Sequence, residues 1–226
     1  MPLTAQNLVA WHDRTAAQHV KLRDERAKNG FRPLSLSVYG TPQDPRYAAV
    51  MVKRPTVVAT KSFLGLSQAG FQKTFEDMAK QGFGPFILTA TGPSGSHVYA
   101  ASFRQMANIP LTRSNLSKDE FIALNTQQHD AGAILLWADV FGTADSPRYC
   151  AVWGPNPERV AWNVDAVDEG GAALQQRFDA MTATGARPAL VSVTPAGRIM
   201  ELFADSQVGP WSSRAGMTSA DYQGEV

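Results

Sequence analysis

Asp139, Glu201 and His97 are the side chains of this sequence whose type and setting suit acid–base chemistry. Asp139 stands where segments of similar pattern carry Ser37, Thr89 and Ser192. Glu201 stands where others carry Ala49, Ala101 and Ala151, and His97 replaces Pro45 and Pro147 two positions before a tyrosine. Two carboxyl groups in unlike surroundings separate their pKa values and can work as an acid and base pair, the chemistry of a hydrolase or lyase, with the imidazole assisting. Such a pair must lie within about 10 Å in one cleft, and carboxyls on opposite faces of a sheet would end the idea. A second set suits recognition: the rings of Tyr47, Tyr99, Tyr149, Trp137 and Trp153 to stack on a carbohydrate or extended peptide, with Arg46 and Arg148 to position acidic groups.

Other apparent motifs have structural explanations. Gly65-Leu66-Ser67-Gln68-Ala69 approaches a nucleophile elbow but lacks the second glycine, and Ser67 reads better as a helix cap. Gly92-Pro93-Ser94-Gly95-Ser96 has the composition of a phosphate-cradling loop, yet it falls where the first such segment has its Gly40 to Pro45 turn, which makes it a hairpin connection. His12, His19, His97 and His129 have no ligand spacing, and Cys150 occupies an alanine slot, so neither a metal site nor a cofactor is expected. Asn115-Leu116-Ser117 is a glycosylation sequon.

The elements that must position these residues recur. Gly30-Phe31-Arg32-Pro33 returns as Gly82-Phe83-Gly84-Pro85, as Gly132-Ala133 and as Gly185-Ala186-Arg187-Pro188, and Arg46-Tyr47-Ala48-Ala49-Val50 returns around Tyr99 and Tyr149. The interval is about fifty residues, the mark of a tandem array. Ahead of each glycine lies a helix: Phe71, Phe75, Met78 and Ala79 make one apolar stripe, Thr15 with Gln18 and Ser117 with Glu120 read as capping boxes, and the glycine ends the helix in a left-handed conformation. Three strand-like runs follow, in the first copy Pro33 to Tyr39, Arg46 to Arg54 and Thr56 to Thr60, and short links favour an antiparallel meander. One face of the first run (Leu34, Leu36, Val38 and their counterparts) should pack on the helices. The other (Ser35, Ser37, Tyr39; Ile87, Thr89, Thr91; Trp137, Asp139, Phe141; Leu190, Ser192, Thr194) should meet water, a cavity or a partner. If Tyr47, Tyr99 and Tyr149 share that mixed face, the candidate groups converge in one pocket.

The chain therefore reads as an α+β array of four units, approximately 15–66, 67–116, 117–167 and 168–217, each a helix plus a three-stranded antiparallel meander with helices packed on one sheet face. A strand at 8–11 and a helix start at 218–226 are partial units. The early strand either closes a ring against the last copy, or the array belongs to a longer parent chain and forms a half-barrel. Charge favours contact between the ends: Arg14 to Lys61 holds ten Lys or Arg against three acids, and Asp165 onward holds four Arg against eight acids. Globally the formal charge is +1 over 226 residues, which gives no pull toward nucleic acid or an anionic membrane. No apolar run reaches the roughly 20 residues of a membrane span. The start lacks signal-peptide order, and one cysteine excludes an internal disulfide.

The runs G-F-R-P-L-S-L-S-V-Y-G and P-R-Y-A-A-V-M-V-K-R resemble the bacterial tandem repeat domain that also forms the amino-terminal half of polyglycine hydrolases, secreted proteins with a second, serine β-lactamase-like catalytic domain. The resemblance covers nearly the whole chain and is weakest in the fourth copy, where Ile199-Met200-Glu201 replaces the Y-A-A pattern. It implies an accessory or recognition domain, secreted where a signal has been trimmed and cytoplasmic where the chain as given is complete. No S-x-x-K occurs, so no nucleophilic serine carries over. The first functional reading is a non-catalytic module binding a glycan or peptide ligand. The alternative is a hydrolase or lyase using Asp139 and Glu201, and the further alternative is a scaffold that assembles as a homo-oligomer.

Overall fold

Each helix is flanked by the strands of its own sheet, one before it and two after it. In the computed structural model, which describes residues 7–56, 58–165, 172–194, 196–206 and isolated positions from 211 onward, the first unit runs β1 (Leu8–Arg14), α1 (Ala16–Lys28), β2 (Phe31–Thr41) and β3 (Asp44–Lys53). The second is β4 (Thr60–Leu66), α2 (Gln68–Lys80), β5 (Phe83–Thr91) and β6 (Val98–Gln105), and the third is β7 (Leu111–Leu116), α3 (Lys118–Asp130), β8 (Ala133–Gly142) and β9 (Pro147–Pro155). The fourth is β10 (Trp162–Asp165), α4 (Ala172–Ala183), β11 (Arg187–Val193) and β12 (Ile199–Ala204).

The α+β class holds, as does the repeat of one helix with three antiparallel strands. What differs is the phase. The sheets have the orders β1-β3-β2, β4-β6-β5, β7-β9-β8 and β10-β12-β11, so the last strand of each unit is central and the strand before the helix pairs with it. The run expected to complete the first meander, Thr56 to Thr60, contributes only its last residue to a strand, and that strand, β4, belongs to the second sheet. Pro55, Pro110 and Pro157 stand in the links between units, where a residue without an N–H ends a ladder and the next run opens a new sheet. The early strand does not close a ring: β1 pairs with β3 of its own unit. No ladder joins the first sheet to the last among the described residues, and the array is open, as a half-barrel. The expected helix start at 218–226 lies mostly outside the described residues.

Local chemistry accounts for the helices. Thr15 and Ser117 complete reciprocal capping boxes with Gln18 and Glu120, and Ser67 accepts the Gly70 N–H, so Ser67 is a cap and not a nucleophile. Gly82 follows α2 at φ +77° and donates to the Ala79 carbonyl, satisfying one of the orphan acceptors at the helix end.

The core lies between units as much as within them. Leu36, Val38, Tyr47 and Ala49 on the α1 side of the first sheet pack with Ile87 and Ala100 from the far side of the second. Leu88, Ala90, Tyr99 and Ala101 pack likewise with Phe141, Cys150 and Val152, and Ala138, Val140, Tyr149 and Trp153 with Met200 and Leu202. Every joint thus sets the helix-side face of one sheet against the opposite face of the next. Gly92 lies at the first joint, where an added Cβ would sit 2.5 Å from Pro42 Cγ of the preceding hairpin, and its φ of +95° disfavours any side chain. Gly92→Ala is expected to cost about 1–3 kcal/mol, read as a lower urea midpoint with the slope unchanged.

Candidate functional site

The 1-3-2 order leaves β2, β5, β8 and β11 at sheet edges, and these four strands stand side by side in that sequence. Side chains tie them where no ladder forms. Thr89 Oγ1 accepts the Val38 N–H at 3.3 Å, Asp139 Oδ2 accepts the Ala90 N–H at 2.9 Å, and Ser192 Oγ accepts the Val140 N–H at 3.0 Å. The recurring polar slot is therefore the seam between neighbouring units: each unit's slot oxygen takes the edge N–H of the unit before it. The ends of the four strands surround an open cavity of about 690 Å3, lined among others by Tyr39, Thr91, Asp139, Phe141, Ser192 and Thr194.

Asp139 sits at the middle of the seam. Besides the Ala90 N–H it accepts the Thr89 hydroxyl at 2.9 Å and the Ser192 hydroxyl at 2.6 Å, so the second, third and fourth units meet on one carboxyl. Burial pushes this carboxyl up to about 6, against the pull of the Ser192 hydroxyl, the Ala90 N–H and the Thr89 hydroxyl. At neutral pH it is an ionised group held by three donors at the cavity wall.

The proposed acid and base pair does not form. Asp139 pairs with Cys150 across the sheet, on the face turned to neighbouring units, whereas Glu201 occupies the position of Ala151 on the helix-side face, near Arg177 of α4. The two carboxyls are on opposite faces. Burial raises Glu201 and Arg177 draws it back, and Arg177 is itself paired with Asp165. His97 is buried between the rings of Tyr99 and Phe141, at 5.0 and 5.6 Å, and its Nε2 meets Gln68 Oε1 at 3.1 Å. Burial holds it below the usual imidazole range. It packs among these rings at 5% exposure.

The ring set is corrected as well. Tyr47, Tyr99, Tyr149 and Trp153 are at most 1% exposed and cannot stack on a ligand. The reason is register: Val38 pairs with Tyr47, Ala90 with Tyr99 and Val140 with Tyr149, which puts each tyrosine on the apolar, helix-side face and not on the mixed one. Tyr149 stacks on Phe121 of α3 at 4.8 Å, and Tyr99 on Phe71 of α2 at 5.3 Å. Trp137 does lie on the mixed face, half-buried against the clusters of the first and second units. Arg46 is held by Asp44 at 3.1 Å with Asp13 at 3.9 Å, beside the β2–β3 turn. Ser117 holds Glu120 below the usual carboxylate range through its hydrogen bonds, and Arg148 adds weakly to that lowering and to the one that burial imposes on His97.

Two features escaped the sequence reading. One is the seam role of the polar slot, whose signal was present as the series Ser37, Thr89, Asp139, Ser192. The other is a bulge just before each helix in the first three units, with Asp13 at φ +52°, Gly65 at +69° and Asn115 at +57°. Asp, Gly and Asn are the residues that tolerate this region, and their recurrence at one repeat position was the available sign.

Among the described residues no cluster of three or more His, Cys, Asp or Glu is disposed to hold a metal ion, and no helix is long and apolar enough to cross a membrane. The arrangement offers edge strands, a cavity and one carboxylate in its wall. A family model described as polyglycine hydrolase-like, structural repeat, matches residues 5–54, 58–106 and 208–226. Its first two matches each run from the strand before a helix to the second strand after it, the same frame as the sheets. These matches take in just over half of the 226 residues, and the chain belongs to the polyglycine hydrolase-like structural-repeat family.

Proposed function

We propose that this chain is a non-catalytic recognition module that holds an extended peptide in the cavity bordered by its four inner strands. The observation that carries the reading is the convergence of four sheet-edge strands on one open space with the Asp139 carboxylate in its wall. An extended peptide can add main-chain hydrogen bonds to such an edge. A carbohydrate is the poorer fit, because the rings that would stack on a sugar are buried against the helices. The family description speaks of polyglycine hydrolase-like proteins, which makes glycine-rich peptides the first probes to try. Such peptides also bring little side-chain bulk to a strand edge.

The test is an array of extended peptides, oligoglycine included, beside an array of glycans, both probed with the intact chain. Retention of glycine-rich peptides is expected. Val193→Trp, which fills the cavity from an exposed position, should abolish it at an unchanged Tm. Glycan retention without peptide retention, or peptide binding indifferent to Val193→Trp, would overturn the reading.

A further inference from the structure

A second cavity, of about 360 Å3, lies at the joint between the first and second units. Among its lining residues are Arg23, Ala27, Arg32 and Met51 of the first unit and Thr60 and Ser62 of the second, and it shares none with the inner cavity. At the later joints the matching space is taken by apolar groups. Arg23 stands where α2 carries Phe75, which packs on the core of the second unit. Arg32 stands where the second unit has Gly84, and there an added Cβ would lie 2.5 Å from Met106 Sδ and 2.6 Å from Pro110 Cδ of the following link. Thr60 stands where the next two links bring Pro110 and Trp162, and the Trp162 indole reaches across to donate to the Ala133 carbonyl at 3.0 Å. The first joint thus has two guanidinium groups and a threonine where the others have a plug.

Arg32 is held in place with one edge to spare. Its Nη1 donates to the Ala27 and Phe31 carbonyls at 3.0 and 2.7 Å, which fixes the guanidinium at the end of α1. Its Nε and Nη2, the edge that grips two oxygens side by side, have no hydrogen-bond partner among the described residues. The fourth unit shows what that edge receives. Arg187 repeats Arg32 in the G-x-R-P run; its Nη1 donates to the Pro188 carbonyl at 3.3 Å, and its Nε and Nη2 donate to the Ser206 carbonyl and hydroxyl at 3.4 and 2.7 Å. Ser206 lies two places beyond the ladder partner of Arg187, and the residue two places beyond the ladder partner of Arg32 is Arg54, which brings a cation in place of the hydroxyl.

The charge of the cleft follows from the same contacts. Arg23 donates through Nε to Asp24 Oδ1 at 2.9 Å and through Nη1 to the Ser62 carbonyl at 3.3 Å. Lys61 also borders the cleft, but its ammonium is turned onto Gln81 at 2.7 Å and the Phe83 ring. Two guanidinium groups against the Asp24 carboxylate leave a single positive charge.

We infer that this cleft binds a small monocarboxylate with an apolar body. The two carboxylate oxygens accept from Arg32 Nε and Nη2, as the two Ser206 oxygens do from Arg187, and the body lies against Ala27, Pro33 and Met51. A planar carboxylate fits the fork, its one charge offsets that of the lining, and the volume is at the small end of ligand sites. This site is separate from the inner cavity, so the outcome at one does not decide the other.

Titration of the intact chain with hydrocinnamate, followed by calorimetry and by the NMR shifts of the arginine Nε–H groups, tests this. Saturable binding that moves the Arg32 signal is expected, with the neutral hydrocinnamide at least about tenfold weaker. Arg32→Lys keeps the charge and loses the fork, and should weaken binding at least about tenfold. Ala27→Phe narrows the cleft from α1 while leaving Arg32 in place, and should weaken it as well. Circular dichroism and Tm of the unliganded variants show that folding is intact; should Arg32→Lys not fold, the Arg32 signal of the parent chain and the response of Ala27→Phe decide. Lack of saturable binding, an amide that binds as well as the acid, an unmoved Arg32 signal or binding indifferent to the substitutions overturns the inference. Inorganic phosphate bound in preference to hydrocinnamate overturns it too, since the fork would then be reading a different anion.

Discussion

Trp153→Ala is expected to lower the stability of the folded chain by about 3–5 kcal/mol, and Tyr149→Ala to act in the same direction. Both side chains lie in the cluster that fastens the third unit to the fourth, with Leu135, Phe121, Met200 and Leu202. The Trp153 indole is 1% exposed, its ring centroid is 6.2 Å from that of Phe121, and its Nε1 donates to Asn125 Oδ1 at 3.2 Å. Alanine would open a cavity on both sides of a joint and leave the asparagine oxygen without this donor. Since single domains have only about 5–15 kcal/mol in hand, a loss of this size brings the midpoint of urea unfolding down sharply. A variant with an unchanged midpoint would show that Trp153 is not part of the joint. The outcome separates a packing role from the recognition role that the sequence alone suggested for these rings.

Asp139→Asn is expected to raise stability at pH 8 by up to about 3 kcal/mol and to change it little near pH 4. The Asp139 pKa is raised on folding, from 3.8 to about 6, so the native state holds the proton more tightly than the unfolded one. Stability is therefore greatest below the unfolded pKa, falls as pH rises from about 4 to about 6, and is level above that. Asparagine keeps an oxygen for the Ala90 N–H and the Thr89 hydroxyl and offers its amide to Ser192, without the buried charge. Asp139→Ala leaves all three donors without this acceptor and should destabilise by about 2–4 kcal/mol at pH 4.

His19 supplies an opposing slope. It is 2% exposed, accepts the Trp11 indole N–H at 3.1 Å, and is held down at about 4 by burial, with Arg23 adding to the effect. Its contribution is present above its unfolded pKa of 6.5 and is lost as pH falls toward 4. In the native sequence the two slopes offset one another between pH 4 and 6. In Asp139→Asn the histidine slope stands alone, and stability should drop as pH falls through that window. A parallel pH profile for the variant and the parent chain would rule out this account of Asp139.

Much of the fold was legible because a tandem sequence repeats its own signals. Gly30, Gly82, Gly132 and Gly185 mark the helix ends at positive φ, and Thr15, Ser67 and Ser117 mark the starts. The phase of the unit was not legible, since β4 follows β3 closely in sequence and nothing local says that it skips to the next sheet. The face of Tyr47 could have been read from register: a hairpin closing at Thr41 and Asp44 pairs Val38 with Tyr47 and fixes the ring among apolar neighbours. Asp139 breaks the polar series of Ser37, Thr89 and Ser192, but a lone acid in a row of hydroxyls can equally be a better acceptor for a seam. Only the positions of Thr89, Ala90 and Ser192 around it distinguish the two.

The shift of phase also bears on how such chains lengthen. Because every ladder among the described residues closes within one stretch from the strand before a helix to the second strand after it, the links that hold Pro55, Pro110 and Pro157 join units that share core packing but no backbone ladder. Genetic duplication or loss of a unit bounded at those links cuts no ladder. It preserves both the donor and the acceptor of each seam, and so alters reach and curvature while leaving the building block untouched.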